Sequence, residues 1–114
     1  MTWIQSESDF IEGDVIRWNE IIWSSGRGKK HKPVGTQKVA GQITAITGDT
    51  VSLKVLKAEI VERQGRARLK LYIPGSSIRK KKSTLLKGSV ERLPWSDESA
   101  RAVLSKGSGP GNPG

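Results

Sequence analysis

The stretch that decides the fold runs from Lys38 to Ala58 and reads KVAGQITAITGDTVSLKVLKA. Residues of strand type alternate in parity on both sides of a turn at residues 47–49, which is typical of a β-hairpin with one buried face. Gly48 can take the positive φ that such a turn needs, and Gly41 inside a strand predicts a bulge or a sharp bend. The predicted buried face consists of Val39, Gly41, Ile43, Ala45, Val51, Leu53 and Val55.

Length and composition limit the classes of protein to consider. A chain of 114 residues is long enough for one domain with a modest core. It has no Cys, so neither disulfides nor thiolate metal ligands are available. No apolar run approaches the ~18 residues of a membrane span, and the start MTWIQSESDF lacks the basic region of a secretory signal. We therefore expect a cytoplasmic protein with no membrane partner and no cofactor.

The positive charge is concentrated in the middle of the chain. The net charge is +9, from 20 Lys and Arg against 11 Asp and Glu. Residues 26–92 hold 17 of the bases and four of the acids, whereas residues 1–25 hold one base and five acids. A basic segment of this size favours a polyanionic partner, most often a nucleic acid. The alternative is a soluble basic domain without such a partner.

Further strands are predicted on both sides of the hairpin. The run GDVIRWNEIIW from Gly13 reads as the first strand. An unbroken strand would put Trp18 and Trp23 on opposite faces, whereas a bulge at residues 19–20 would bring them to one face. Alternation also predicts a strand at 69–73 that stops at a turn formed by residues 74–75, and a last short strand at 90–93.

The end of the chain predicts a helix and a tail. Ser96 is a candidate N-cap, and acids follow it, so a helix is expected over about 97–105 with Ala100, Val103 and Leu104 in one apolar stripe. The last eight residues, GSGPGNPG, cannot bury apolar surface and are expected to be disordered. The predicted organisation is a lead-in at 1–12, a β domain with its helix at 13–106, and a tail at 107–114.

Basic residues gather in two segments of this chain. The first is a Gly-rich loop at 24–37, whose bases would either contact phosphates or merely be solvated. The second is the run SIRKKK, where adjacent charges cannot all be buried, so an edge strand or exposed loop is expected. Its lysines would either contact phosphates or only guard the sheet edge against pairing. The predicted nucleic-acid contacts are Arg27, Lys29, Lys30, Lys32, Lys54, Arg66, Arg68, Lys70, Arg79, Lys80, Lys81 and Lys82.

The strand pattern resembles a small SH3-like β-barrel of the KOW and Tudor type. Such modules often open with Gly-Asp-x-Val, which corresponds to Gly13 and Asp14 followed by Val15 or Ile16. They also have a strand of the form Val-x-Gly-x-Ile, which corresponds to residues 39–43. The resemblance covers about residues 13–93. It implies a mainly β fold, here an SH3-like antiparallel barrel with a short C-terminal helix, and a partner that is nucleic acid, peptide or a ribosomal component.

The sequence predicts a nucleic-acid-binding module rather than an enzyme. His31 is the only histidine, it lies among lysines, and no carboxylate is placed to orient it as a catalytic triad would require. We expect no metal site. Double-stranded DNA is favoured over RNA, with contacts mainly to the backbone, whereas an exposed Trp18 or Trp23 would favour single strands through base stacking. The alternative is a protein-interaction module, in which the acidic N-terminal region and the C-terminal helix form a homodimer or partner contact.

Overall fold

A computed structural model describes residues 2–6, 9–23, 32–65 and 69–107. Six strands form one antiparallel sheet in the order β1-β6-β2-β3-β4-β5, which confirms the prediction of a mainly β fold with a short C-terminal helix. In the described part of the chain, no helix is long and apolar enough to cross a membrane. The elements are β1 (Ile4–Gln5), β2 (Val15–Trp23), β3 (Pro33–Thr47), β4 (Thr50–Arg63), β5 (Ser77–Lys81), α1 (Lys82–Lys87), β6 (Glu91–Arg92) and α2 (Glu98–Gly107).

The predicted hairpin is the centre of the sheet and is longer than expected. Strands β3 and β4 pair from Gly35 with Arg63 to Thr47 with Thr50. Gly48 has a φ of 59° at the turn, and the register shifts between Ala40 and Gly41, which confirms the predicted bulge. Six of the seven residues predicted to face the core are buried, and Ala45 is half-buried. Alternation alone therefore located both the hairpin and its inner face.

The six strands form an open sheet rather than the closed barrel that the sequence predicts. Strand β1 is one edge and β5 is the other, so β5 is the edge strand expected from its run of lysines. Helix α1 fills part of the space between β5 and β2. There the Asn19 N–H donates to the Gly88 carbonyl over 2.8 Å. A Cβ at position 88 would overlap the Asn19 carbonyl, so this approach requires glycine.

The buried core lies between the concave side of the sheet and α1. Ile16 and Trp18 from β2 meet the predicted inner residues of the hairpin, and Leu85 of α1 is fully buried among them. From the lead-in, Phe10 joins this cluster and Ile11 is also buried. Residues 1–12 thus contribute both a sheet strand and core contacts to the β domain.

The predicted strand at 69–73 is wrong, because this segment pairs with no strand. It lies across the concave side of the sheet instead. The Tyr72 N–H donates to Oε1 of the Gln37 side chain over 3.3 Å, and the Leu69 side chain packs against Gly35. Leu69 and Leu71 are half-buried without a ladder of backbone hydrogen bonds, whereas Ile73 is exposed. The predicted turn at residues 74–75 is confirmed, with a φ of 90° at Gly75.

Helix α2 is capped by Asp97, whereas the sequence predicts Ser96 as the cap. Oδ1 of Asp97 accepts hydrogen bonds from the N–H groups of Ser99 and Ala100, at 3.0 and 3.2 Å. The helix therefore begins at Glu98, one residue later than predicted. The predicted apolar stripe is exposed, with Val103 and Leu104 at 70% and 53% exposure. Polar contacts hold this helix to the domain. The sequence predicts a disordered tail at 107–114, of which residues 108–114 lie outside the described residues.

Candidate nucleic-acid interface

The convex side of the sheet carries cations from four neighbouring strands. Alternation along each strand puts these side chains opposite the core, because the residues on either side of Arg17, Lys38 and Lys54 are buried or half-buried. The strand pairing then brings these cations close together. Arg17 of β2 and Lys57 of β4 both pair with Ala40 of β3, which lies between them, and Arg79 of β5 pairs with Ser52 of β4. We call this surface the outer face, and its cations are Arg17, Lys38, Lys54, Lys57, Arg79 and Lys81.

Four cations of the outer face have no carboxylate partner among the described residues: Lys38, Lys54, Arg79 and Lys81. Lys38 is half-buried, and the three cations on β4 and β5 are exposed. Cations without a fixed partner are free to bind phosphate, because no internal ion pair must break first. The three exposed cations lie along β4 and β5, at the edge of the sheet.

The rest of the outer face is partly paired. Arg17 Nε lies 2.8 Å from Glu91 Oε1, and its guanidinium lies 4.4 Å from the Trp3 ring centroid. Lys57 makes a loose and exposed ion pair with Glu59, at 3.6 Å. A shallow groove of about 150 Å³ runs between Trp3, Arg17, Lys38 and Lys57. Glu59 lines the groove as well, so the lining holds three cations, one carboxylate and the Trp3 ring.

Sequence reasoning missed three residues of this surface: Arg17, Lys38 and Lys57. The sequence does carry a signal for Arg17 and Lys38, because each alternates along its strand with residues that are buried. Lys57 was harder to place. Gly41 pairs with Val55 and Ala40 pairs with Lys57, so Leu56 is left without a partner on β3. This extra residue decides on which side of the sheet Lys57 lies. A bulge changes the parity of every residue beyond it.

Lys80 does not belong to the outer face, and this is a correction to the predicted site. It lies opposite Val51 on the concave side, where Nζ is 2.9 Å from Glu20 Oε2 and 5.0 Å from the Tyr72 ring centroid. Burial alone would lower the pKa of Lys80, but hydrogen bonds with Tyr72 and Glu20 outweigh it and raise that pKa. Lys80 therefore remains charged and is committed to an internal ion pair.

Glu20 is the centre of this internal cluster. Its carboxylate accepts hydrogen bonds from the Tyr72 hydroxyl and from Trp18 Nε1, the latter over 3.0 Å. Burial, and then the hydrogen bond to Glu20, raise the pKa of the Tyr72 phenol. Together with Lys80, three donors saturate the Glu20 carboxylate, so the cluster is an internal polar network of the fold.

The two tryptophans of β2 differ in burial. Trp18 is only 1% exposed and belongs to the core, so its proposed role in base stacking is wrong. Trp23 is 53% exposed and remains available. It borders a groove of about 290 Å³ that is also lined by Ile21, Lys70, Leu71 and Tyr72.

Other predicted contact residues are not brought onto the outer face. Lys70 is exposed but lines the groove beside Trp23, Lys82 is half-buried at the start of α1, and Lys32 is exposed next to β3. We call one end of the sheet the loop end, where β2, β3 and β4 reach Trp23, Pro33 and Arg63. Five predicted contacts lie outside the described residues: Arg27, Lys29, Lys30, Arg66 and Arg68.

A second buried cluster joins the N-terminal region to α2. The fully buried Asp14 carboxylate accepts hydrogen bonds from Arg101 Nε at 2.9 Å and Nη2 at 2.7 Å, and from Trp95 Nε1 at 2.9 Å. Arg101 also lies 3.1 Å from Asp9. The hydrogen bonds that Arg101 donates to Asp14, and then to Asp9, raise the pKa of Arg101 above its ordinary value. The two regions that the sequence offers for a protein contact thus bind each other within one chain.

Helix α2 has a further ionic contact outside that cluster. The Arg92 guanidinium makes a two-pronged contact with Glu98, at 3.0 and 2.7 Å, and the Trp95 N–H donates to the same carboxylate over 2.8 Å. Hydrogen bonds from Arg92 and then from Trp95 lower the pKa of Glu98 to about 2. This carboxylate therefore stays ionised at any pH near neutral.

The described residues do not assemble a metal centre. No group of three or more His, Cys, Asp or Glu among residues 2–6, 9–23, 32–65 and 69–107 is arranged to hold a metal ion. Comparisons with protein families, curated proteins and solved structures find no match to this chain. The candidate interface consequently depends on the geometry of the outer face and on its charge.

Proposed function

We propose that this protein is a non-enzymatic nucleic-acid-binding module that holds double-stranded DNA on its outer face. The observation that carries the proposal is the row of cations that four neighbouring strands place on one side of the sheet. Strands lie about 4.8 Å apart, so four of them form a surface roughly 15 Å across. A cationic surface of that width faces several phosphates of a duplex at once.

Phosphates rather than bases are the expected ligands of this surface. The cations belong to strands of a sheet, and no helix carries them into a groove of the duplex. Amide groups that would read adenine are few on the outer face, where Asn19 and Gln42 are the exposed examples. Contacts to the backbone position a protein on a duplex without reading its sequence. The proposed binding is therefore independent of sequence.

We also propose that the fold is a partly open barrel of the SH3-like kind. Strand β5 pairs with β4, and β6 pairs with β2 only one short helix later in the chain. The chain thus passes from one side of the β2–β3–β4 meander to the other, around the core. The contact between Gly88 and Asn19 supports this reading, because it joins α1 to β2 across the opening.

A binding titration tests the proposal. The full chain is titrated with a labelled blunt duplex and with RNA of equal length at several salt concentrations. We expect binding to the duplex that weakens steeply with salt, because phosphate contacts release counterions. Several duplexes of different sequence should bind about equally. Absence of duplex binding at low salt would contradict the proposal, and tighter binding to the RNA would assign the outer face to RNA instead.

A further inference from the structure

A groove at the loop end has features that the outer face lacks. Trp23 forms one side of this groove with its ring 53% exposed, although a large aromatic side chain is usually buried. Leu71 and the half-buried Tyr72 line the groove as well, and Lys70 lies at its rim, exposed to solvent. Its volume of about 290 Å³ is at the lower end of the range for sites that hold small ring systems.

The electrostatics of the groove suit an anionic ligand. Glu20 is its carboxylate-bearing lining residue, and the ion pair with Lys80 at 2.9 Å neutralises that carboxylate. Lys70 has no carboxylate within ion-pair distance among the described residues, so its charge is available to a ligand. An exposed aromatic ring beside a free cation is the combination that binds a base by stacking and its phosphate by charge.

We propose that this groove takes an unpaired base of the nucleic acid, which stacks on Trp23 while Lys70 contacts a flanking phosphate. The inference rests on the function proposed for the outer face. A base inside a duplex is covered on both faces by its neighbours, so only an unpaired base can offer a ring face to Trp23. The preferred ligand is therefore a duplex with a single-stranded extension rather than a blunt duplex.

The spacing of the two sites on one strand sets the length of that extension. Arg17 of the outer face and Trp23 of the groove lie six residues apart on β2, which corresponds to about 20 Å along a strand. Successive nucleotides of one strand advance about 3.4 Å in a helical stack. This distance is a minimum, because Gln37 and Tyr72 of the concave side line the groove, so an extension of at least about six stacked nucleotides is needed to reach it from a duplex on the outer face.

Length-dependent binding tests the inference with the full chain. Three DNA ligands share one duplex and carry a single-stranded extension of none, about three or about eight nucleotides. We expect the longest extension to bind about tenfold more tightly than the blunt duplex, from one base stacked on Trp23. Trp23→Ala and Lys70→Ala should each reduce this gain, and Trp23→Phe should keep part of it. Ile73→Ala and Lys87→Ala are the matched controls, since both side chains are exposed and neither lines the groove.

The outcomes separate this inference from the proposed function. Equal affinity for all three ligands, or a gain that survives in Trp23→Ala, would overturn the groove site while leaving duplex binding intact. Failure of the blunt duplex to bind would instead overturn the function of the outer face. Urea unfolding of each variant shows whether it is folded, and Trp23→Phe keeps the test decisive if Trp23→Ala is unstable.

Discussion

Glu20 Oε2 and Lys80 Nζ lie 2.9 Å apart, although their strands β2 and β5 are separated in the sheet by β3 and β4. In a flat sheet these strands would be roughly 14 Å apart, at about 4.8 Å per strand. The contact therefore requires a strongly curled sheet whose concave side closes over the core. It also divides the basic run at 79–82, because Lys80 points inward while Arg79 and Lys81 point to the outer face.

Replacing Lys80 should destabilise the protein. Lys80→Ala removes one of three donors from the Glu20 carboxylate, which is only 16% exposed. A hydrogen bond to a charged group contributes about 1.5–3 kcal/mol to folding, so a loss of that order is expected in urea unfolding. Lys81→Ala is the matched control on the next residue, and its exposed side chain should change stability by less than about 0.5 kcal/mol. Equal midpoints for the two variants would contradict the internal ion pair.

The titration of Tyr72 should report this cluster directly. Tyr72 is the only tyrosine, so the ultraviolet absorbance of phenolate follows it alone. Burial and Glu20 raise its pKa above the ordinary 10.0, whereas Lys80 lowers it. Glu20→Gln should therefore lower the midpoint of the titration, and Lys80→Met should raise it. Shifts of the opposite sign would show that the cluster does not form as described.

The same raised pKa values predict how stability depends on pH. Folding favours the neutral phenol of Tyr72 and the charged ammonium of Lys80, since both pKa values are raised in the folded protein. Their contribution is thus fully present below pH 10 and is lost as the pH rises through the folded pKa values. Urea midpoints measured over the alkaline range should fall less steeply with pH in Tyr72→Phe than in the wild type, because the phenol no longer titrates and Lys80 loses a hydrogen bond that raises its pKa. Parallel curves would contradict this linkage.

Removing Asp14 should be among the most damaging single changes. Asp14→Ala leaves Arg101, whose side chain is 5% exposed, with only the more exposed Asp9 as an ionic partner. Breaking a buried ion pair by removing one partner costs about 3–5 kcal/mol. Asp97→Ala is the control, because it removes only the cap of the same helix, at a cost of about 1 kcal/mol. Similar urea midpoints for both variants would mean that the cap, and not Asp14, holds α2 in place.

Local pattern was sufficient to predict the centre of this fold. Alternation with a glycine turn located the hairpin and its inner residues, and Gly41 marked the point where the register shifts, but the sequence did not show that the extra residue is Leu56 on β4. Charge density identified β5 as an edge strand. These features depend on neighbours within a few residues, which is the range over which sequence patterns are informative.

Features set by distant residues were not predictable from the sequence. Whether Lys80 is solvated depends on Glu20, which is 60 residues away, and the bulge at Leu56 decides the side on which Lys57 lies. Leu69 to Ile73 alternate like a strand but lie across Gly35 and Gln37 without strand pairing. The predicted set of contact residues therefore combines basic residues from two sides of the sheet.

The most direct test of the proposed function is the salt dependence of duplex binding by an outer-face variant. For about five phosphate contacts, log K should fall with log salt at a slope of roughly −4.5. Lys54→Ala combined with Lys81→Ala should weaken binding to every duplex sequence alike and make the slope shallower by about 0.9 for each lost contact. Neither lysine has a carboxylate partner among the described residues, so the variant should remain folded.

Lys87→Glu is the matched control, because it lowers the net charge of +9 by the same two units from a site on α1, away from the outer face. We predict that this control keeps the slope of the wild type while the outer-face variant loses one to two units of slope, as measured by fluorescence titration at three salt concentrations. Identical affinity and slope in the folded outer-face variant and the wild type, or an equal loss in the control, would contradict binding of DNA by the outer face.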